Sequence, residues 1–230
     1  MTAVLVRHPR GDLLIDAGLG RDLDAQIGYM PLWFRATTRY ERRRSVAEQL
    51  DAAGYDRRAL RAVVLTHAHW DHVSGVPELA GTPVWVTPEE RRHIDDGGAI
   101  MGLTRSFGGV RYEEYTFEGG PYLGFPRSHD VYGDGAIVIV PAPGHTPGSV
   151  IVFLTLPTRQ RYALVGDLVW QLEGVSQREE RPWLQRTLAD DDPAAVRDGI
   201  ARVAAIAARY PEIAIVPAHD ARAFAALPQL

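Results

Sequence analysis

Thr66-His67-Ala68-His69-Trp70-Asp71-His72 is the stretch from which the rest of this chain is read. Three imidazoles and one carboxylate fall between residues 67 and 72, directly after the apolar run Ala62-Val63-Val64-Leu65. An aliphatic run that stops at such a cluster reads as a buried strand delivering ligands to the loop at its end. If that loop is extended, His67 and His69 point the same way, as i and i+2 do on a strand. Two imidazole nitrogens then converge on one ion, while Asp71 and His72, after the chain turns, serve a second. Nitrogen and carboxylate donors without thiolates suit Zn first, with Fe, Mn or Co also possible. The chain has 8 His in 230 residues, so chance is a poor account of this clustering.

Three later stretches share its design. Pro143-Gly144-His145-Thr146-Pro147-Gly148 sets a His in a turn between the apolar runs 137–140 and 150–154. Ala163-Leu164-Val165-Gly166-Asp167 ends an apolar strand on a carboxylate, and Ile213-Ala214-Ile215-Val216-Pro217-Ala218-His219-Asp220 ends another on a His. Each candidate ligand sits where a strand hands over to a loop.

An HxHxDH run, a His in a PGHTPG turn, an Asp after a strand and a final His, in this order, resemble the signature of the metallo-β-lactamase superfamily over nearly the whole chain. The resemblance implies an α/β fold, an αββα sandwich of two mixed β-sheets flanked by helices, with residues 1–230 as a single domain of two pseudo-symmetric halves. It implies that His67, His69 and His145 hold one metal, that Asp71, His72 and His219 hold the second, and that Asp167 bridges them. Asp16, in Asp16-Ala17-Gly18-Leu19-Gly20, resembles the family's DxG segment, where the Asp supports the metal shell by orienting ligating imidazoles. A plain turn residue is the alternative reading of Asp16.

Two cations sharing a water lower its pKa to give hydroxide at neutral pH, and one of them polarises the scissile carbonyl or phosphoryl oxygen. Asp71 is the expected catalytic group, orienting the hydroxide and moving its proton to the leaving group. Hydrolysis is therefore the expected reaction, with two Zn as cofactors. A carboxylate at Asp167 is unlike the true β-lactamases, and a His at His69 is unlike the flavo-di-iron oxygen reductases. The pattern looks most like the N-acyl-homoserine-lactone lactonase and esterase branch. Those lactonases place a Tyr three residues after the bridging Asp, where this chain has Trp170; an indole donates one hydrogen bond and has no titratable hydroxyl. A lactone or carboxylic ester is thus the leading substrate class. A glyoxalase II-like thioesterase and a mononuclear-iron sulfur dioxygenase are the alternatives. The thioesterase predicts basic residues near the C-terminus, where Arg222 is the only Arg after His219.

Composition excludes other classes. An apolar fraction of 46% and a charged fraction of 23% are ordinary for a soluble globular chain. With no Cys there are no disulfides and no thiolate ligands, which is compatible with a reducing cytoplasm. The net charge is -4 and the cations, all Arg, are scattered, so a nucleic-acid footprint is missing. Neither a signal-peptide layout nor an apolar run of membrane-spanning length is found. The expected partner is a small-molecule substrate, in the cytoplasm, with no nucleic acid and no membrane; a homodimer is one open assembly state.

Along the chain, residues 3–16 read as a hairpin turning at His8 to Asp12. The superfamily usually carries a strand before it, so an upstream strand is either lost or lies before the chosen start. Residues 28–40 are rich in aromatics without a clean period, and Tyr29, Met30, Trp33 and Phe34 either pack under a sheet or, with Trp170, wall the substrate pocket. Ser45 caps a helix over Val46 to Leu50, with Glu48 completing the box. Residues 74–79 are expected to start a helix after the metal loop, 82–87 a strand and 88–94 a charged helix carrying a solvated His93. Residues 97–109 look like a mobile segment near the site, His129 before Asp130 takes a turn or a supporting role behind the metal rather than binding it, and 168–183 is irregular. Asp192 and Pro193 open a helix to Tyr210 whose Val196, Ile200, Val203 and Ile206 recur at helical spacing.

Overall fold

The computed structural model describes residues 3–41, 43–225 and 227–228, which divide into two compact units, one ending at Tyr115 and the other beginning at Thr116. Each is built on a five-stranded mixed sheet.

In the first unit the strands are β1 (Val4–Val6), β2 (Asp12–Ile15), β3 (Leu60–Val64), β4 (Val84–Val86) and β5 (Tyr112–Glu114), side by side in that order. β1 and β2 form the expected antiparallel hairpin, with Val4 opposite Ile15, and the remaining pairs are parallel. Leu13, Leu14 and Ile15 are all buried, as befits a strand covered on both faces. Leu14, Val63, Leu65, Val84 and Val86 form a core with Ala47 and Leu50 of helix Val46–Ala52, Ile94 of helix Pro88–Asp96, and Met101 and Leu103. Ser45 makes the full capping box with Glu48.

In the second unit the sheet order is β10 (Ile213–Pro217), β9 (Arg161–Gly166), β8 (Val150–Thr155), β7 (Ile137–Pro141) and β6 (His129–Asp130). Only β9 and β10 are parallel. Helix Pro193–Arg209 is capped by Asp192, whose side chain accepts from the Ala194 and Ala195 N–H groups. Its Val196, Ile200, Val203 and Ile206 are buried with Val165 and Ile213.

Several local expectations are corrected. Residues 28–40 contain a turn at Ile27–Tyr29 and a helix at Leu32–Thr37, which is too short to show a period. The helix after the metal loop starts earlier, at Trp70–Val73, and 76–79 is only a 3-10 turn. Pro77 has no N–H with which to continue an α-helix, and the Glu78 N–H donates to the Gly75 carbonyl at 3.1 Å, three residues back where an α-helix would reach four. The supposedly mobile 97–109 segment holds helical turns at Gly98–Met101 and Gly102–Arg105, with Met101, Leu103 and Thr104 buried. His129 and Asp130 form an edge strand because β7 offers them partners. Asp130 also takes the turn role, accepting from the Gly133 and Gly135 N–H groups. A helix at Leu172–Ser176 interrupts the irregular stretch, and His93 is partly buried rather than fully solvated.

Candidate functional site

The first unit places its four candidate ligands at the end of β3. His67 and His69 offer ligand nitrogens within 4.8 Å of each other, so the extended-loop expectation holds for this pair. The His67 and His72 rings are 3.9 Å apart between centroids, and His72 Nε2 lies 4.0 Å from an Asp71 carboxylate oxygen. His67, Asp71 and His72 are buried.

This loop lies beyond the sheet ladder, so side chains satisfy its backbone. Asp16 accepts from the Thr66 N–H at 2.7 Å, from the Thr66 hydroxyl at 2.8 Å, and its carboxylate is 2.9 Å from His72 Nδ1. Glu90 accepts from the Ala68 N–H at 2.6 Å, and the Thr104 hydroxyl donates to the Ala68 carbonyl at 2.8 Å. An imidazole whose Nδ1 faces a carboxylate carries its proton there and presents Nε2 as the ligand atom. Asp16 therefore touches a candidate ligand and fixes its tautomer, which a plain turn residue does not.

Trp70, inside the ligand run, stacks edge-on with Phe34 at 5.4 Å and tilts against Tyr40 at 6.1 Å. The aromatic segment thus lies beside the metal loop. Met30 and Phe34 belong to the core, as the packed reading has it, whereas Tyr29 and Trp33 are 60% and 47% exposed.

The second unit gathers its three candidates around one oxygen. Asp167 Oδ2 lies 3.1 Å from His219 Nε2 and 3.7 Å from His145 Nε2. Trp170 donates its indole N–H to the same oxygen at 2.9 Å. Asp190 sits 2.9 Å from His145 Nδ1, repeating the relation of Asp16 to His72. The Arg181 guanidinium donates to the Asp190 carboxylate and to the Asp167 main-chain carbonyl, and lies 5.0 Å over the Trp170 ring. Burial pushes the Arg181 pKa down, while the charge of Asp167 opposes that shift.

Beyond His219, Asp220 is buried and accepts from Arg222 and from the Leu172 N–H. The Arg222 hydrogen bonds hold its carboxyl well below the usual carboxylate range. Arg222 also makes two bonds to Glu173, so its guanidinium ties helix Leu172–Ser176 to the end of β10.

Asp190, Arg181, Glu90 and Thr104 escaped the sequence reading. Asp190 is 45 residues from His145, and nothing local separates it from its neighbours Asp191 and Asp192. Arg181 lies in a charged run that resembles any solvated turn. The one usable signal was Glu90, at N3 of a helix capped by Thr87 but almost fully buried.

Sheets ending on candidate His and Asp ligands, with carboxylates behind two of the imidazoles, define a candidate metal centre in a mixed α/β fold. The family model of the metallo-β-lactamase superfamily matches residues 2–219, and the chain belongs to that superfamily. A probable metallo-hydrolase of Mycobacterium tuberculosis is 29% identical over 94% of this chain and 73% of its own length. The N-acyl homoserine lactonase AttM of Rhizobium radiobacter is 24% identical over 74% of this chain and 65% of its own. Among solved structures, an N-acyl homoserine lactone hydrolase with the product N-hexanoyl-L-homoserine at its metal centre is similar in fold. Its TM-score is 0.74 at 18% identity, over 97% of this chain and 82% of that one. The fold class is that of the superfamily, two mixed β-sheets flanked by helices, and the protein is a metallo-hydrolase of this fold. Members of the superfamily bind metal ions, and the imidazole and carboxylate donors fit a divalent first-row cation. Among the described residues, no helix is long and apolar enough to cross a membrane.

Proposed function

We propose that the protein is a di-zinc hydrolase of a lactone or carboxylic ester, with the two units acting as halves of one domain. The observation that carries this reading is the pair of carboxylates, Asp16 and Asp190, each holding Nδ1 of a candidate ligand at 2.9 Å. Such support is the usual companion of a metal-bound imidazole. His67, His69 and His145 would hold one ion, Asp71, His72 and His219 the other, and Asp167 would contact both. When bound, the two cations supply an activated water and a Lewis acid for the carbonyl oxygen. Asp71 would accept a hydrogen bond from that water, take its proton as the oxygen attacks the carbonyl carbon, and return it to the leaving alkoxide as the acyl C–O bond breaks, so that a lactone would leave as its hydroxy acid.

Trp70, between His69 and Asp71 in the chain, packs against Phe34 at 5.4 Å, and with the exposed Tyr29 and Trp33 of the same aromatic segment would supply apolar surface for an acyl chain. AttM is a lactonase by name, and its similarity favours lactones. The second reading, a glutathione thioesterase, loses support because the guanidinium of Arg222 is engaged by Asp220 and Glu173. The absence of Cys agrees with a cytoplasmic enzyme.

The test combines metal content per chain, on protein purified without added metal, with turnover of lactones, aryl esters, thioesters and phosphotriesters. About two zinc ions with lactone or ester hydrolysis is the expected result. One iron per chain, with oxygen uptake on a persulfide, would transfer the protein to the dioxygenase class.

A further inference from the structure

We infer that Arg181 and Trp170 form a two-point clamp that positions Asp167, so that Trp170 is a positioning residue rather than a substrate-binding one. The inference rests on the reading of Asp167 as a metal ligand. An aspartate is aimed by its backbone and by its carboxylate torsion, and this pair addresses both. Arg181 donates to the Asp167 carbonyl where β9 ends. Trp170 donates to Oδ2 at 2.9 Å, the oxygen that also faces His219 and His145. The guanidinium lies over the indole at 5.0 Å, so the two donors brace each other.

An indole has a single N–H. Having given it to Asp167, Trp170 has no polar atom left for a substrate carbonyl. Arg181 extends the clamp further: its side chain is 4% exposed, and it binds the Asp190 carboxylate that also holds His145 Nδ1. One cation therefore braces two candidate ligands, Asp167 directly and His145 both through Asp190 and by its own Nη1, 3.2 Å from His145 Nδ1. A buried guanidinium in such a place is costly unless its partners are fixed, which suits a rigid support.

The test loads the full chain with cobalt and reads the visible d–d spectrum and chelator competition for each equivalent, alongside thermal melts. Trp170→Phe keeps an aromatic ring under the guanidinium and removes the N–H. It is expected to weaken the second cobalt equivalent about 10- to 100-fold and to alter the spectrum. Arg181→Lys keeps the charge, loses the fork, and is expected to weaken it less. Trp85→Phe, which removes an indole donor to Glu113 at 2.9 Å, is the matched control and should leave both equivalents as in the wild type. Wild-type affinity and spectrum in both Trp170→Phe and Arg181→Lys would overturn the clamp alone. A wild type that binds only one cobalt would overturn the bridging assignment of Asp167 and the clamp with it.

Discussion

Asp16 adopts φ = +58°, a left-handed conformation that costs an L side chain energy unless its surroundings hold it there. Here the holding contacts are the Thr66 N–H, the Thr66 hydroxyl and His72 Nδ1, all within 2.9 Å. Asp16→Asn keeps the size and the tolerance for positive φ, but sets an NH2 group against a donor. Metal-free Asp16→Asn should be less stable than the wild type by about 1–3 kcal/mol, measured by denaturant unfolding. Equal midpoints would remove Asp16 from this role. The residue was legible through the resemblance of Asp16-Ala17-Gly18 to the superfamily's DxG segment. Its counterpart Asp190 was not, because the contact with His145 is tertiary and no local spacing encodes it.

At the scale of elements, the metal loop is held by helices as much as by its strand. Ala68 is fully buried, and its two backbone groups are satisfied by Glu90 of helix Pro88–Asp96 and by Thr104 of the turn Gly102–Arg105. Thr104→Val keeps the shape and removes the hydroxyl, leaving the Ala68 carbonyl short of that donor. A loss of about 1–3 kcal/mol is expected, together with weaker metal retention; unchanged stability in thermal melts would show that Thr104 does not support the loop. The strands and long helices were readable from apolar period and caps, because burial of one face sets that period. The 97–109 segment was not, because its glycines suggested mobility. In the structure Gly98 takes φ = +69°, and a Cβ on Gly102 would lie 2.5 Å from the Tyr29 carbonyl oxygen. These glycines serve close approach and a tight turn, and composition does not distinguish that from freedom.

At the scale of the whole molecule, each unit has its own sheet and its own core, while the family model runs across both. The order of the motifs that carry the candidate ligands was legible across that full length, whereas Asp190, Glu90 and Thr104 behind them were not, since tertiary packing and no local spacing brings them there. If the ligands of one ion come from both units, its binding energy is available only while both are folded. Cation present at a thousand times its dissociation constant then adds about 4 kcal/mol of stability. For a chain of this size that corresponds to about 8–16 °C in melting temperature. Chelation should lower the midpoint by that order, and calorimetry should show the metal-free transition broadening or splitting as the units lose their shared ligand. Restoring zinc should restore one cooperative transition. A midpoint and width indifferent to chelator and to added zinc would mean that no ion links the two halves, and the shared ligand set would have to be abandoned.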